Sequence, residues 1–177
     1  EKDVSEDMSL EPLTDYSKFK AECEKILLKY KSDDFVASVI RPATVCGYSP
    51  RQRLDLVVNI LSNLAYHKRE ISVFGGEQLR PNIHIKDMVR VYKHFLKNPG
   101  LCSGCYNAGF ENISILEIAE LVKKYVDCEI NITESNDPRS YRQNSNKLLK
   151  TGFSQKFKIE DAIKDIIQEY NKGNLIE

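Results

Sequence analysis

An α/β fold is what this sequence predicts, on three observations. Segments with the apolar spacing of helices alternate along the chain with short β-branched runs. Clusters of glycine, proline and asparagine punctuate them. A chain of 177 residues, 41% apolar, is also long enough to bury one sizeable core.

Each element follows from its local pattern. Asp15 to Lys31 has helical spacing, with Phe19, Cys23, Ile26, Leu27 and Tyr30 on one stripe. Phe35 to Ile40 reads as a buried strand. The Arg41-Pro42 break and the Gly47 to Pro50 turn follow, and then a second helix from Leu54 to His67, with Leu54, Val57, Val58, Leu61 and Leu64 in phase. Ile71 to Phe74 is a short strand closed by Gly75-Gly76. Asn82 to Ile85 forms another, after which Asp87 helps to start a helix through Leu96 that stops before Asn98-Pro99-Gly100. Cys105 to Ala108 reads as a strand followed by a turn. Ser114 is an N-cap for a helix to about Tyr125, because Glu117, three residues on, completes a capping box. Ile130 to Thr133 is a strand. A polar stretch from Glu134 to Asn146, containing Pro138, leads to a short helix near Lys147. The last helix, Ile159 to about Lys172, is amphipathic through Ile159, Ala162, Ile163, Ile166, Ile167 and Tyr170.

Charge narrows the possible partners. Basic and acidic residues balance at 26 each, so no summed field draws the chain to nucleic acid or to an acidic membrane surface. No run approaches the roughly 20 apolar residues of a membrane span, and Glu1 to Glu11 is acidic, unlike a signal peptide. A soluble, cytosolic protein is the expectation. The cysteines number five, and this odd count favours reduced thiols over a disulfide framework. Cys102 and Cys105 alone have metal or redox spacing, but the three histidines, His67, His84 and His94, form no paired motif, so two small residues around a strand start is the preferred reading.

Chemistry is carried by Tyr16-Ser17-Lys18-Phe19-Lys20, where four-residue spacing on a helix stacks a phenol and an ammonium on one face. A free tyrosine ionises near pH 10, so action as a base near neutrality needs a shift of roughly three units, about 4 kcal/mol. A neighbouring ammonium is the right agent, because opposite charge favours the ionised form. Taken alone, such a pair is more often a solvated surface feature.

The wider context is more specific. The run Glu11 to Glu22 resembles the catalytic segment of NAD-dependent epimerases and dehydratases acting on nucleotide sugars, within the extended short-chain dehydrogenases. Arg41 to Gly47 is similar to that family's strand and loop after the catalytic helix. Val73 to Asp87 resembles its block of glycine turn, arginine and His-x-x-Asp. Tyr106 to Gly109 looks like its small-residue strand end, and Lys147 to Phe153 like the element before its final helix.

The resemblance implies a Rossmann-like architecture. Residues 1–48 would be the C-terminal part of the dinucleotide-binding domain, including the catalytic helix, and 49–177 mainly the nucleotide-sugar region, with some segments returning to the sheet. It implies that Tyr16 exchanges a proton with a sugar hydroxyl while hydride moves to or from NAD or NADP, and that Lys20 holds the cofactor ribose and lowers the phenol's pKa. Pro42 would lie near the nicotinamide. Arg80 would grip the nucleotide diphosphate, where a guanidinium fork suits phosphate oxygens, with an arginine covering a turn as the lesser alternative. A homodimer is implied too, with the helix from Asp15 presenting Phe19, Cys23 and Leu27 to a partner or to its own sheet.

Departures from the pattern matter as much. The family often has asparagine where this chain has Thr44 and Asp55, both facing the substrate pyrophosphate. A carboxylate there repels phosphate unless a cation intervenes, and Arg51 and Arg53 are candidates, or else a solvated loop pair. Family members commonly carry an arginine a few residues before the equivalent of Asp137, whereas here Arg139 and Arg142 follow it, and Arg139 is kept as a phosphate ligand. His84 is read as a hydrogen-bonded core histidine and Asp87 as a helix cap rather than as catalysts. No three of the eight glycines have the spacing that receives a dinucleotide pyrophosphate. The sequence therefore reads as part of a longer enzyme, inactive and weak in NAD(P) binding by itself. An epimerase or 4,6-dehydratase leads, ahead of a non-sugar reductase and of a non-catalytic binding or assembly module.

Overall fold

The computed structural model describes residues 3–135 and 140–176. In chain order its elements are β1 (Asp3–Val4), α1 (Asp15–Lys29), β2 (Ser38–Pro42), β3 (Thr44–Cys46), α2 (Val57–Lys68), β4 (Glu70–Phe74), β5 (Leu79–His84), α3 (Ile85–Lys97), β6 (Gly104–Ala108), β7 (Glu111–Ser114), α4 (Ile115–Lys123), β8 (Glu129–Thr133), β9 (Arg142–Gln143), α5 (Asn146–Leu149) and α6 (Ile159–Asn171). The α/β reading holds, and the strand pairs are mostly parallel: β1 with β9, β2 with β6, β3 with β5 and β4 with β8. The antiparallel pair is β5 with β7.

Ala43 is where the chain changes sheets. Up to Pro42 it pairs with β6, and from Thr44 it pairs with β5. Close approach makes this crossing possible: a Cβ on Gly109 would sit 2.6 Å from the Ala43 side chain.

Two apolar clusters flank the crossing. One lies among α2, α4, α6 and β4, built from Val58, Leu61, Ala65, Ile71, Val73, Ile118, Val122, Ile159 and Ile163. All six apolar positions expected on α6 are buried. The other, smaller cluster joins Ala43, Ile83, Met88, Val91, Ala108, Leu148 and Phe153 beneath α3. Strand β2 starts at Ser38, later than the expected Phe35, because the backbone of Phe35 pairs back with Ser32 across a tight turn. The box at Ser114 forms as read: its hydroxyl accepts from Glu117 N at 3.1 Å and the Glu117 carboxylate accepts from Ser114 N at 2.9 Å. These bonds hold the Glu117 carboxyl below its ordinary value.

One expectation is corrected at α3. The N-cap is His84, whose Nδ1 accepts from Lys86 N at 3.0 Å, while Asp87 lies inside the first turn and ties down another loop. An Nδ1 that accepts leaves the proton on Nε2, which faces the Asp165 carboxylate at 3.5 Å. Burial pushes the His84 pKa below 6.5, against the opposing pull of Asp165, with Lys86 lowering it and Asp87 and Asp161 raising it. A depressed histidine stabilises the fold fully above pH 6.5, and that stability is lost as the pH falls through the folded value. Thermal melts are therefore expected to show acid loss as the pH falls below 6.5, and a His84→Gln variant a flatter slope. An equal slope in the variant would assign the loss to other groups.

Candidate functional site

Tyr16 and Lys20 border one groove. It has a volume of about 670 Å³ and is also lined by Glu24, Ile40, Arg41, Pro42, Tyr92 and Tyr141. The pair whose catalytic role the resemblance implies thus shares a cavity with Pro42, the residue expected near the nicotinamide. Helix α1 starts at Thr14, whose hydroxyl accepts from Ser17 N while the Ser17 hydroxyl accepts from Thr14 N. The helix lies largely open to solvent: Ala21 is its one buried residue, and Tyr16 is 74% exposed. The expected stripe of Phe19, Cys23, Ile26, Leu27 and Tyr30 is exposed, so it does not face the chain's own sheet.

A charged clamp ties α1 to β2. Arg41 Nη2 donates to Glu24 Oε2 at 2.6 Å and Nε to Oε1 at 3.1 Å, both side chains being about four-fifths buried. The Glu24 carboxylate raises the Arg41 pKa further. Because Glu24 lies one turn beyond Lys20 and Arg41 directly precedes Pro42, the clamp sets the position of the Tyr16 and Lys20 face against the strand end.

A second cleft, of about 470 Å³, gathers Thr44, Asp55 and Arg80. Its walls are apolar, from Leu56, Val57, Ile60, Leu64, Phe74 and Ile115, with Ser72, Gln78 and Ser135 as polar groups. Arg80 is half-buried, and its Nη1 donates to Leu79 O at 3.0 Å. The start of α2 opens here: its N-cap is Leu56, which has no polar side chain, and its first turn carries no acid, so the first N–H groups favour an anion. Strand β4 ends in Gly75 and Gly76, both at positive φ, and Gln78 stitches that turn by accepting from Gly76 N and donating to Phe74 O.

The loop from β3 to α2, which carries Asp55 to this cleft, is fixed by a residue that the sequence did not single out. Asn59, buried on α2, accepts from Gly47 N at 3.1 Å and donates to Arg53 O at 2.9 Å. Arg53 then closes on Asp55 side-on, Nε to Oδ1 at 3.1 Å and Nη2 to Oδ2 at 2.7 Å. Each raises or lowers the other accordingly: the Asp55 hydrogen bond lifts the Arg53 pKa, and the Arg53 hydrogen bond holds Asp55 below its ordinary value. Of the two arginines considered beside Asp55, Arg53 is the one that pairs with it, and both side chains of the pair are exposed. Arg139 lies outside the described residues. Cys102 and Cys105 flank the start of β6 as free thiols, and Cys105 points at Glu24, 3.6 Å away. Glu24, Asn59 and Gln78 had no motif to mark them; each acts through partners fixed by the fold.

Comparisons with known proteins bear on this geometry. The model of the NAD dependent epimerase/dehydratase family matches residues 1–109. A Bacillus subtilis (strain 168) protein, described as the uncharacterized UDP-glucose epimerase YtcB, is 34% identical over 123 residues, covering 68% of this chain and 38% of its own length. Among solved structures, UDP-glucuronic acid 4-epimerase from Bacillus cereus, in complex with UDP-glucuronic acid and NAD, superposes with a TM-score of 0.81 at 25% identity, over 97% of this chain and 57% of that one. The dTDP-glucose 4,6-dehydratase of Bacillus anthracis str. Ames, in complex with NAD, gives 0.81 at 22% identity, over 97% and 56%. The chain spans well under two thirds of the length of each. With the match covering more than half of its residues, this chain belongs to the NAD-dependent epimerase/dehydratase family.

Proposed function

We propose that these residues are the catalytic-helix and substrate-binding portion of an NAD(P)-dependent nucleotide-sugar epimerase or 4,6-dehydratase. One observation carries the reading: Pro42 borders the groove of Tyr16 and Lys20, and Thr44 borders the cleft of Asp55 and Arg80. Two residues span about 7 Å at most, so one elongated ligand can lie across Ala43 with its ends in both cavities. A nucleotide sugar has that form, with a reacting sugar at one end and a diphosphate beyond it. A division of the chain near residue 48 accords with most of the second cleft's residues, from Asp55 onward, lying after it, with Thr44 before it.

The cofactor fits the first groove in part. A phenol, an ammonium and an apolar edge of Ile40 and Pro42 suit the ribose and nicotinamide end of NAD(P). When bound, that group supplies a hydride acceptor and donor. Tyr16 takes the proton of the sugar hydroxyl and returns it, Lys20 steadies the ribose, and Pro42 gives the ring an apolar contact. The pyrophosphate finds no glycine turn in this sequence. Isothermal titration of the 177-residue chain is accordingly expected to show no micromolar NAD binding, and such binding would reject this assignment of parts.

Arg80 separates the sugar-nucleotide reading from a non-sugar reductase, which has no use for a guanidinium in the second cleft. Arg80→Ala is expected to weaken UDP binding by about tenfold or more while leaving NAD binding by the whole enzyme unchanged. Equal UDP affinity in the variant would favour the reductase. The open stripe of α1 supports a homodimer paired through this helix, a state that size-exclusion chromatography with light scattering reads directly.

A further inference from the structure

Asp55 sets a problem for the cleft. It brings a negative charge to the cavity of Arg80, where the proposed ligand brings a diphosphate, and like charges there repel. The geometry with Arg53 offers an answer. Arg53 meets Asp55 with one edge of its guanidinium, through Nε and Nη2, and this leaves both N–H bonds of Nη1 and one of Nη2 uncommitted to the carboxylate. The backbone of the same residue is held by the buried amide of Asn59, which also holds Gly47, so the loop beneath the pair is fixed at both ends. The two side chains themselves are 66% and 67% exposed and open to a ligand.

We infer that Asp55 is a positioning residue rather than a substrate ligand: it fixes Arg53 side-on, so that the outer edge of that guanidinium faces a diphosphate whose other side meets Arg80. The inference rests on the nucleotide-sugar reading and deepens it. The diphosphate then lies between two arginines, one half-buried on β5 and one on the loop before α2. A flexible arginine alone loses much of its freedom on binding, and a fixed partner removes part of that cost beforehand.

The sign of one substitution tests it. By calorimetry with UDP as the probe and UMP as control, Asp55→Asn is expected to weaken UDP binding by about two- to fivefold, although it removes a negative charge from an anion site. UMP, with a single phosphate, should change less. In an Arg53→Ala background the same Asp55→Asn change is expected to tighten UDP binding, because only repulsion is left. If Asp55→Asn tightens UDP binding or leaves it unchanged with Arg53 present, Asp55 does not position Arg53 and the inference is overturned. Failure of the underlying reading looks different: the unsubstituted chain would not bind UDP, or Arg80→Ala would bind it equally well, and the inference would fall with it.

Discussion

A Tyr16→Phe enzyme is expected to lose about 10²- to 10⁴-fold in turnover while binding cofactor and nucleotide sugar as before. The substitution keeps the ring and removes one hydroxyl. Since Tyr16 is exposed and α1 is capped by Thr14 and Ser17, neither the core nor the helix start depends on that hydroxyl. Its loss therefore isolates proton transfer from folding. Arg80→Ala should act in the opposite column, on KM more than kcat, because a diphosphate far from the reacting carbon is gripped alike in ground and transition states. The measurement is steady-state kinetics on the enzyme complete with its dinucleotide-binding portion, with NAD affinity determined separately. A Tyr16→Phe enzyme within about threefold of the parent would remove Tyr16 from the chemistry and leave the groove as a binding surface.

Much of this arrangement was legible because it rests on local rules. The four-residue step from Tyr16 to Lys20 fixes a shared helix face whatever surrounds it, and both residues border one groove. The Ser114 and Glu117 box and the buried stripe of α6 are likewise properties of short windows. Partnerships across the fold were not legible. Glu24 and Arg41 are 17 residues apart, and only the packing of α1 on β2 brings their charges together. Strands β1, β7 and β9 have two to four residues each, too few for an alternating pattern, and exist because a neighbour supplies the ladder. The Asp55 anomaly was visible in advance, but which of Arg51 and Arg53 pairs with it is read only from the folded loop.

Asp87 is where the same lesson has the largest consequence for stability. Read as a cap, it would be worth about 1 kcal/mol. In the structure its carboxylate is fully buried and accepts from Lys156 N and Phe157 N, both at 2.9 Å, and from the Arg90 guanidinium. Arg90 in turn donates to Ser154 O at 3.0 Å and stacks on Phe153. One side chain on α3 thus anchors the segment 153–158 that delivers α6 to the larger apolar cluster. Asp87→Ala leaves two backbone donors and a guanidinium without their acceptor, which costs about 3–5 kcal/mol where the charge stays buried. Arg90, partly exposed, can recover some hydration, so the lower end of that range is expected. For a chain of this size about 3 kcal/mol lowers the melting temperature by roughly 6–12 °C. Asp87→Asn should recover part of the loss, since its amide oxygen can replace Oδ2 and accept from both backbone N–H groups, while its NH2 turns donors toward Arg90, which already donates. Lys86→Ala is the control: it removes an ion pair to Asp165 at the surface and should cost less than about 1 kcal/mol. Urea melts of the three variants decide the matter. A loss at Asp87 no larger than that at Lys86 would mean that α6 is held by its apolar stripe alone and that the buried carboxylate is not its anchor.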